Sequence, residues 1–216
     1  MRKISLVLII FILLFSVENN ILAHQPRIVY DEKLIKVENP EVSQAFYGEL
    51  KGESVYYQIE ERDNFNFYIG LLSPQIEGAD KDFSVEVSMG EEIIFVLDGT
   101  SQEWELFYEE FGGDYYYEGP ENKISAGPGV YTLKVFSPDN RGKYVLVVGE
   151  KEEFPLKEIF NTIKTLPKLK GDFFEKSPLT AFFNIIGLFT FGPIIFILVI
   201  IFSILLYRKR KKVENK

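Results

Sequence analysis

The residue types that usually carry catalysis are scarce in this chain. Among its 216 residues there is no cysteine and one histidine, His24. The missing cysteines exclude a thiolate nucleophile, a disulfide framework and a cysteine-ligated metal site, and a lone histidine argues against a Ser-His-Asp hydrolase. Carboxylates are abundant, as at Glu109-Glu110, but abundance does not define the tuned pair that a glycosidase needs. The composition therefore predicts a protein without catalytic activity and without a cofactor.

One stretch, Trp104 to Glu121, concentrates aromatic and acidic side chains, with seven aromatic residues, six acidic residues and no basic one. Aromatic rings stack on sugars and anchor protein interfaces, and carboxylates bind hydroxyls or cations. The stretch is thus a candidate binding face for a protein partner, or for a glycan or a cation. The alternative is a strand pair with core aromatics, in which alternation places Tyr116 opposite Tyr115 and Tyr117. The candidate face comprises Trp104, Phe107, Tyr108, Glu109, Glu110, Asp114, Tyr116 and Glu118.

Three further aspartates lie in predicted loops. Asp80 and Asp82 flank Lys81, and Asp98 begins a turn. Calcium prefers such oxygen-rich loops, so a calcium-stabilised surface domain is one alternative. Ordinary solvated turn residues are the other, and no ligand set is assigned to a metal.

The charge is distributed unevenly. The whole chain carries a net charge of −8, whereas residues 24–150 contain 25 acidic and 10 basic residues, a net charge of −15. Such a domain is disfavoured on nucleic acid and on other anionic surfaces. It permits cations or basic partners.

The first 23 residues have the pattern of a secretory signal peptide. Arg2 and Lys3 precede an apolar run, Ile4 to Phe15, and Ala23 suits a cleavage site. The run is shorter than the roughly 20 residues that span a bilayer. Cleavage is expected, with an uncleaved signal anchor as the alternative.

A second apolar run, Leu179 to Tyr207, has 29 residues and no charge. As a helix it would be about 44 Å long, more than the roughly 30 Å of hydrocarbon in a bilayer. It predicts one transmembrane helix, with Ile185 to Leu206 in the hydrocarbon and a kink at Gly192-Pro193. Five cations follow and mark the cytoplasmic side, so residues 208–216 would form a cytoplasmic tail. These cations are Arg208, Lys209, Arg210, Lys211 and Lys212.

Residues 151–178 form a stem between the two parts. Apolar residues recur there at helical spacing, from Leu156 to Leu166, which predicts a short amphipathic helix ending before Pro167. Three arrangements are open: a helix on the outer membrane surface, a helix packed on the domain, or a semi-ordered stalk.

Residues 24–150 have the pattern of β-strands. Apolar and polar residues alternate, for example over residues 65–71 and 83–88, and turn residues separate the runs. Asp139 to Gly142 is predicted as the hairpin loop between the last two strands. About eight strands at this spacing predict a mostly β protein, with an extracellular, jelly-roll-like β-sandwich, a juxtamembrane helix and one transmembrane helix.

Two segments, Ile124–Phe136 and Gly142–Val148, together with Gly48–Leu50 and Val55–Tyr57, resemble the bacterial pre-peptidase C-terminal domain. The shared pattern is a small-residue turn, Tyr-x-Leu-x-Val, a loop and Gly-x-Tyr-x-Leu-x-Val, within residues 42–149. The resemblance implies a small jelly-roll β-sandwich on a secreted or surface protein. In some members it implies contact with substrate, collagen or carbohydrate, and calcium at some sites.

No calcium-ligand pattern of that family can be matched residue by residue here. Tyr131 and Tyr144, which belong to the shared pattern, are expected to pack across neighbouring strands as an aromatic pair.

Together these features predict a single-pass protein of the cell membrane with its N-terminal domain outside and no catalytic activity. The expected role is binding, as an accessory subunit to another membrane or surface protein. A glycan-binding adhesion module and a calcium-stabilised surface domain are the alternatives.

Overall fold

The computed structural model describes residues 24–32, 34–153 and 155–214, without the side chains of residues 185, 186, 189, 190 and 210–214. The predicted signal peptide, residues 1–23, lies outside the described residues.

The described residues as far as Val148 form eleven strands, against about eight expected from the sequence. The two shortest, near residue 30, have four residues each and were not predicted. The strands are β1 (Gln25–Ile28), β2 (Leu34–Val37), β3 (Gln44–Lys51), β4 (Val55–Glu61), β5 (Phe65–Pro74), β6 (Ser84–Met89), β7 (Glu92–Leu97), β8 (Glu105–Glu109), β9 (Asp114–Ala126), β10 (Gly129–Phe136) and β11 (Arg141–Val148).

The strands form two sheets. The six-stranded sheet has the order β1-β3-β11-β5-β9-β8, and the five-stranded sheet has the order β2-β4-β10-β6-β7. β1 pairs in parallel with β3, and β2 in parallel with β4. The other pairs are antiparallel, as the sequence pattern of short strands and tight turns favours.

The two sheets share one hydrophobic core. Alternate residues of most strands point into it, so that Tyr57 and Leu133 of the five-stranded sheet meet Phe67 and Tyr144 of the six-stranded sheet. The hydroxyl groups of Tyr57 and Tyr144 are hydrogen-bonded at 2.9 Å inside this core. The predicted mostly β architecture is therefore present as two packed layers.

Two details of the sequence interpretation were wrong, and both concern β10 and β11. These strands lie in different sheets, so residues 137–140 cross between the layers and do not close a hairpin. For the same reason Tyr131 and Tyr144 do not pair across neighbouring strands. Tyr131 packs against Phe65 and Phe67, and Tyr144 packs against Phe83.

The stem is helical beyond its predicted end. It forms α1 (Leu156–Lys168), a π-helical turn (Leu169–Phe173) and a 3₁₀ turn (Pro178–Phe182). Pro167 lies inside α1, so the prediction that the helix stops before it was wrong. Proline lacks an N–H and its ring crowds the carbonyl of the preceding turn. The helix nevertheless continues past Pro167, and a π-helical turn begins at Leu169.

The stem packs on the outer face of the six-stranded sheet, which is one of the three arrangements left open by the sequence. Leu169, Phe173 and Phe174 of the stem meet Val145 and Val147 of β11 in a second buried cluster. β11 is consequently covered on both faces, which explains its uninterrupted apolar run. Arg27 of β1 also forms an ion pair with Glu158 of α1, at 2.8 Å.

The last helix is α2 (Ile185–Glu214), which contains Pro193. The predicted helix from Leu179 begins instead at Ile185, because the Asn184 side chain accepts a hydrogen bond from the Gly187 N–H at 3.0 Å and caps the helix. The segment Phe191–Lys209 has a mean hydropathy of 2.4 and is long and apolar enough to cross a membrane.

Candidate functional site

The aromatic and acidic stretch forms the hairpin of β8 and β9, at one edge of the six-stranded sheet. Its turn, residues 110–113, is closed by a hydrogen bond from the Gly113 N–H to the Glu109 carbonyl at 3.0 Å. The two faces of the hairpin differ. Phe107 and Tyr116, which are directly paired, point toward the stem, whereas Tyr108 and Tyr115 point away from it.

A buried ion cluster ties the hairpin to the stem. Asp114, at the start of β9, accepts hydrogen bonds from Lys170 Nζ at 2.5 Å and from Lys176 Nζ at 2.9 Å. Lys170 also donates to the Gly112 carbonyl at 2.6 Å. Asp114 is 2% exposed and Lys170 1% exposed. Burial lowers the pKa of the Lys170 ammonium, and the adjacent Asp114 opposes that change.

Glu109 closes the hairpin turn beside this cluster. Its two carboxylate oxygens accept hydrogen bonds from the backbone N–H groups of Phe111 and Gly112, both at 2.7 Å. Burial raises the pKa of Glu109 to about 7, while these two N–H donors and Lys170 act in the opposite direction. The carboxyl group therefore stabilises a turn and changes its charge near neutral pH.

Tyr116 is buried against the stem. Its hydroxyl is hydrogen-bonded to that of Tyr47 at 3.0 Å, and its ring packs edge-on against Phe174 at 5.4 Å. Asp114 and Tyr116, which were predicted as part of a binding face, both lie beneath the stem. The predicted opposite orientation of Tyr116 relative to Tyr115 is confirmed by their burial.

Trp104 is partly buried and packs against the main core. Its indole N–H donates to the Gly99 carbonyl at 2.9 Å, and its ring meets Phe83 at 6.4 Å. It also lies directly over Gly119, where any side chain would collide with the indole ring. This half-buried tryptophan anchors the entry to β8.

Six members of the candidate set retain surface exposure to different extents. Tyr108, Glu110 and Glu118 are exposed, and Trp104, Phe107 and Glu109 are partly buried. Partial burial, with Glu121 and Glu105 nearby, raises the pKa of Glu118. Since Tyr116 is buried and Trp104 is partly buried, the exposed aromatic side chains of the hairpin are Tyr108 and its neighbour Tyr115.

The cations predicted to mark the cytoplasmic side begin at the end of the apolar segment, at Arg208. Arg208 and Lys209 are exposed on α2. The side chains of Arg210, Lys211 and Lys212 lie outside the described part of the chain.

The concave features offer little room for chemistry near the hairpin. The cavity between the stem and the sheet, beside Glu109 and Asp114, has a volume of about 20 Å³, which is near the size of one water molecule. An open groove of about 610 Å³ lies elsewhere, between residues 28–32 and the π-helical turn. Among the described residues, no group of three or more histidine and acidic side chains is placed to hold a metal ion.

Sequence reasoning missed the residues that complete this region, namely Lys170, Lys176 and Asn184. Asn184 donates to the Gly112 carbonyl at 2.7 Å in addition to capping α2. One signal was available: the apolar run Tyr144–Val148 requires cover on both faces, and the adjacent stem could supply it. Nothing in the sequence indicates which lysine reaches Asp114.

Comparisons with solved structures give low-scoring similarities over part of the chain. No family model and no curated protein matches the chain. A solved structure of the pre-peptidase C-terminal domain of collagenase from Bacillus anthracis is similar, with 14% identity and a TM-score of 0.35, over 56% of this chain and 97% of that domain.

Two β-glucosidases are also similar over part of their length. That of Kluyveromyces marxianus has 18% identity and a TM-score of 0.28 over 53% of this chain. That of Paenibacillus barengoltzii has 8% identity and a TM-score of 0.28 over 58% of this chain. The chain spans 13% of each of these enzymes, and at these scores the similarity says nothing about activity.

Proposed function

We propose that the protein is a single-pass membrane protein that holds a β domain at the outer surface of the cell membrane and binds another membrane or surface protein there, without catalysis. α2 would span the bilayer, with the basic residues from Arg208 onward in the cytoplasm. The exposed surface of the segment Phe191–Lys209 supports this placement, because a soluble protein would bury such a helix.

The observation that carries the binding role is an uncovered apolar row on an edge strand. β7 is the last strand of the five-stranded sheet, and Ile93, Ile94 and Val96 are exposed on it. An open strand edge with apolar side chains is a template for pairing with another chain. The stem covers the outer face of the six-stranded sheet, whereas β7 carries three exposed apolar side chains at an edge of the other sheet.

The arrangement of carboxylates supports a role without catalysis. Glu109 combines a raised pKa with burial, which is typical of a catalytic acid. Both of its oxygens, however, are engaged by backbone N–H groups, and the adjoining cavity of about 20 Å³ is too small for a sugar or a peptide. Its position is that of a turn-closing residue.

The test is photocrosslinking of the full-length protein in its native membranes. A photoreactive residue replaces Ile94 on the β7 edge, and in a second version it replaces Thr132 on the central strand β10. We expect a crosslinked product of one defined mass from position 94 and none from position 132.

A matched pair of charge variants makes the test specific. Val96→Lys places a charge on the β7 edge, which blocks strand pairing, whereas Thr132→Lys places the same charge on the middle of the same sheet. The product should disappear with Val96→Lys and persist with Thr132→Lys. No product, or one that Val96→Lys leaves unchanged, would contradict binding at β7.

A further inference from the structure

The tip of the β8–β9 hairpin is joined to the beginning of α2. Asn184 caps α2 through its side-chain oxygen and donates from its side-chain nitrogen to the Gly112 carbonyl at 2.7 Å. Gly113 has a φ of +71°, and a Cβ placed there would lie 3.1 Å from the Asn184 Cβ. The tip is therefore fixed at the residue that precedes the helix.

Two exposed tyrosines lie at this same point. A Cβ on Gly113 would also lie 3.5 Å from the Tyr108 hydroxyl, so Tyr108 and Asn184 flank the hairpin tip. The ring of Tyr108 packs against that of Tyr115 with 4.7 Å between their centroids. Both rings are on the hairpin face that the stem does not cover.

The segment leading into α2 adds apolar surface to this region. Leu179 is 68% exposed and Phe183 85% exposed, although both side chains are large and apolar. Leu179 lies five residues before Asn184, and Phe183 immediately precedes it. Exposed side chains of this type, next to an apolar helix, favour a lipid environment over water.

The position along α2 gives the depth of these residues. If the helix spans the bilayer as proposed, Arg208 marks the inner boundary, and about 20 residues cross the hydrocarbon at about 1.5 Å each. The outer boundary then falls near residue 188, and Asn184 lies about 6 Å beyond it. Since the headgroup layer is roughly 5 to 8 Å thick on each side, Asn184 is at headgroup depth.

We propose that the hairpin tip binds the membrane itself, with Tyr108, Tyr115 and Phe183 seated in the outer headgroup layer. This rests on the proposed membrane span. Tyrosine suits that layer because its ring is apolar and its hydroxyl remains hydrated. The ligand is a zwitterionic lipid surface, because the charge of −15 on residues 24–150 disfavours an anionic one.

The absence of cysteine makes a direct test practical. Single cysteines labelled with a nitroxide are placed in the full-length protein, which is reconstituted in phosphatidylcholine nanodiscs. Glu110→Cys puts the label on the hairpin tip, Leu198→Cys puts it on α2, and Ser125→Cys puts it on β9, about 33 Å along the strand from Tyr115. The readout is collision of the label with a water-soluble nickel complex and with oxygen.

We expect the label at position 110 to collide with the nickel complex roughly threefold less than the label at position 125, and with oxygen more, as for groups in the headgroup layer. In the Glu110→Cys protein, further substitution of Tyr108 and Tyr115 by serine should move both values toward those of position 125. A thermal unfolding transition that the serine variant retains shows that its domain is folded.

The outcomes separate this proposal from the one on which it rests. A label at position 198 that is as accessible to the nickel complex as the label at position 125 overturns the membrane span. A lipid-embedded label at position 198, together with equal accessibilities at positions 110 and 125, overturns the seating of the hairpin alone. Unchanged values in the serine variant exclude the two tyrosines as the contact.

Discussion

At the scale of single residues, the ion cluster between the hairpin and the stem is the most consequential contact. Asp114 forms ion pairs with Lys170 and Lys176, and the side chains of Asp114 and Lys170 are buried. A buried ion pair of this kind adds little net stability compared with an apolar pair. Removing one partner is destabilising, because the other charge is then buried without a counter-charge. The cluster therefore specifies where the stem docks.

Replacing Asp114 should be severe. We expect Asp114→Ala to lower the free energy of unfolding by about 3 to 5 kcal/mol, because Lys170 is left buried without a counter-charge. Denaturant unfolding of the full chain in micelles, followed by fluorescence of Trp104, the single tryptophan, measures this. Glu110→Ala, at an exposed acid of the same hairpin, should change the free energy of unfolding by no more than about 0.5 kcal/mol. Equal effects of the two variants would contradict the role of the cluster.

Glu109 should make stability depend on pH. Its pKa is about 7 in the folded protein and is raised from 4.5, so the folded state binds the proton more tightly than the unfolded state between these values. Stability from this group is present at low pH and is lost as the pH rises through 7. Relative to Glu109→Gln, the free energy of unfolding of the wild type should fall by about 2 to 3 kcal/mol between pH 5 and pH 8.

The comparison with Glu109→Gln is needed because His24 acts in the opposite sense. Burial lowers the pKa of His24 from 6.5 to about 4, so its contribution to stability increases as the pH rises between these values. His24 is present in both proteins and cancels in the difference. Urea midpoints at the two pH values give the result, and parallel pH profiles of the two proteins would refute it.

At the scale of elements, Asn184 connects α2 with the β8–β9 hairpin. We expect Asn184→Ala to cost about 1 kcal/mol through the lost helix cap and to release the Gly112 carbonyl. Amide hydrogen exchange in residues 108–116 should become faster in nanodiscs, while β10 keeps its rate. Ser203→Ala is the control, because that hydroxyl bonds to Val199 within α2. Faster exchange in both variants would point to a general loosening instead.

The elements also show how far the sequence could be interpreted. Alternation identified β5, β6 and β10, and the 29-residue apolar run identified α2, since both signals depend on burial along one segment. The four-residue strands β1 and β2 give no such signal. The layer to which each strand belongs depends on contacts distant in sequence, so residues 139–142 were mistaken for a hairpin loop. The burial of Asp114 and Tyr116 depends on a stem 50 or more residues away and could not be predicted locally.

At the scale of the whole molecule, the stem is part of the folded domain. Residues 24–150 alone would expose Val145, Val147 and Tyr116, which the stem covers. We expect a fragment of residues 24–150 to self-associate and to bind a hydrophobic dye, and a fragment of residues 24–184 to be monomeric. Light scattering after gel filtration distinguishes the two. A monomeric shorter fragment with the same unfolding midpoint would show that the stem is dispensable.

The bond between Asn184 and Gly112 has a mechanical consequence. It ties the start of α2 to the β domain. If α2 spans the membrane as proposed, a change in its tilt would therefore move the domain as well. Helices that span a bilayer lean further when the bilayer becomes thinner. β9 extends about 40 Å from the tip, so a lean of about 10° would displace its far end by about 7 Å. In such a protein, a change in membrane thickness would change the position of the far end of the β domain.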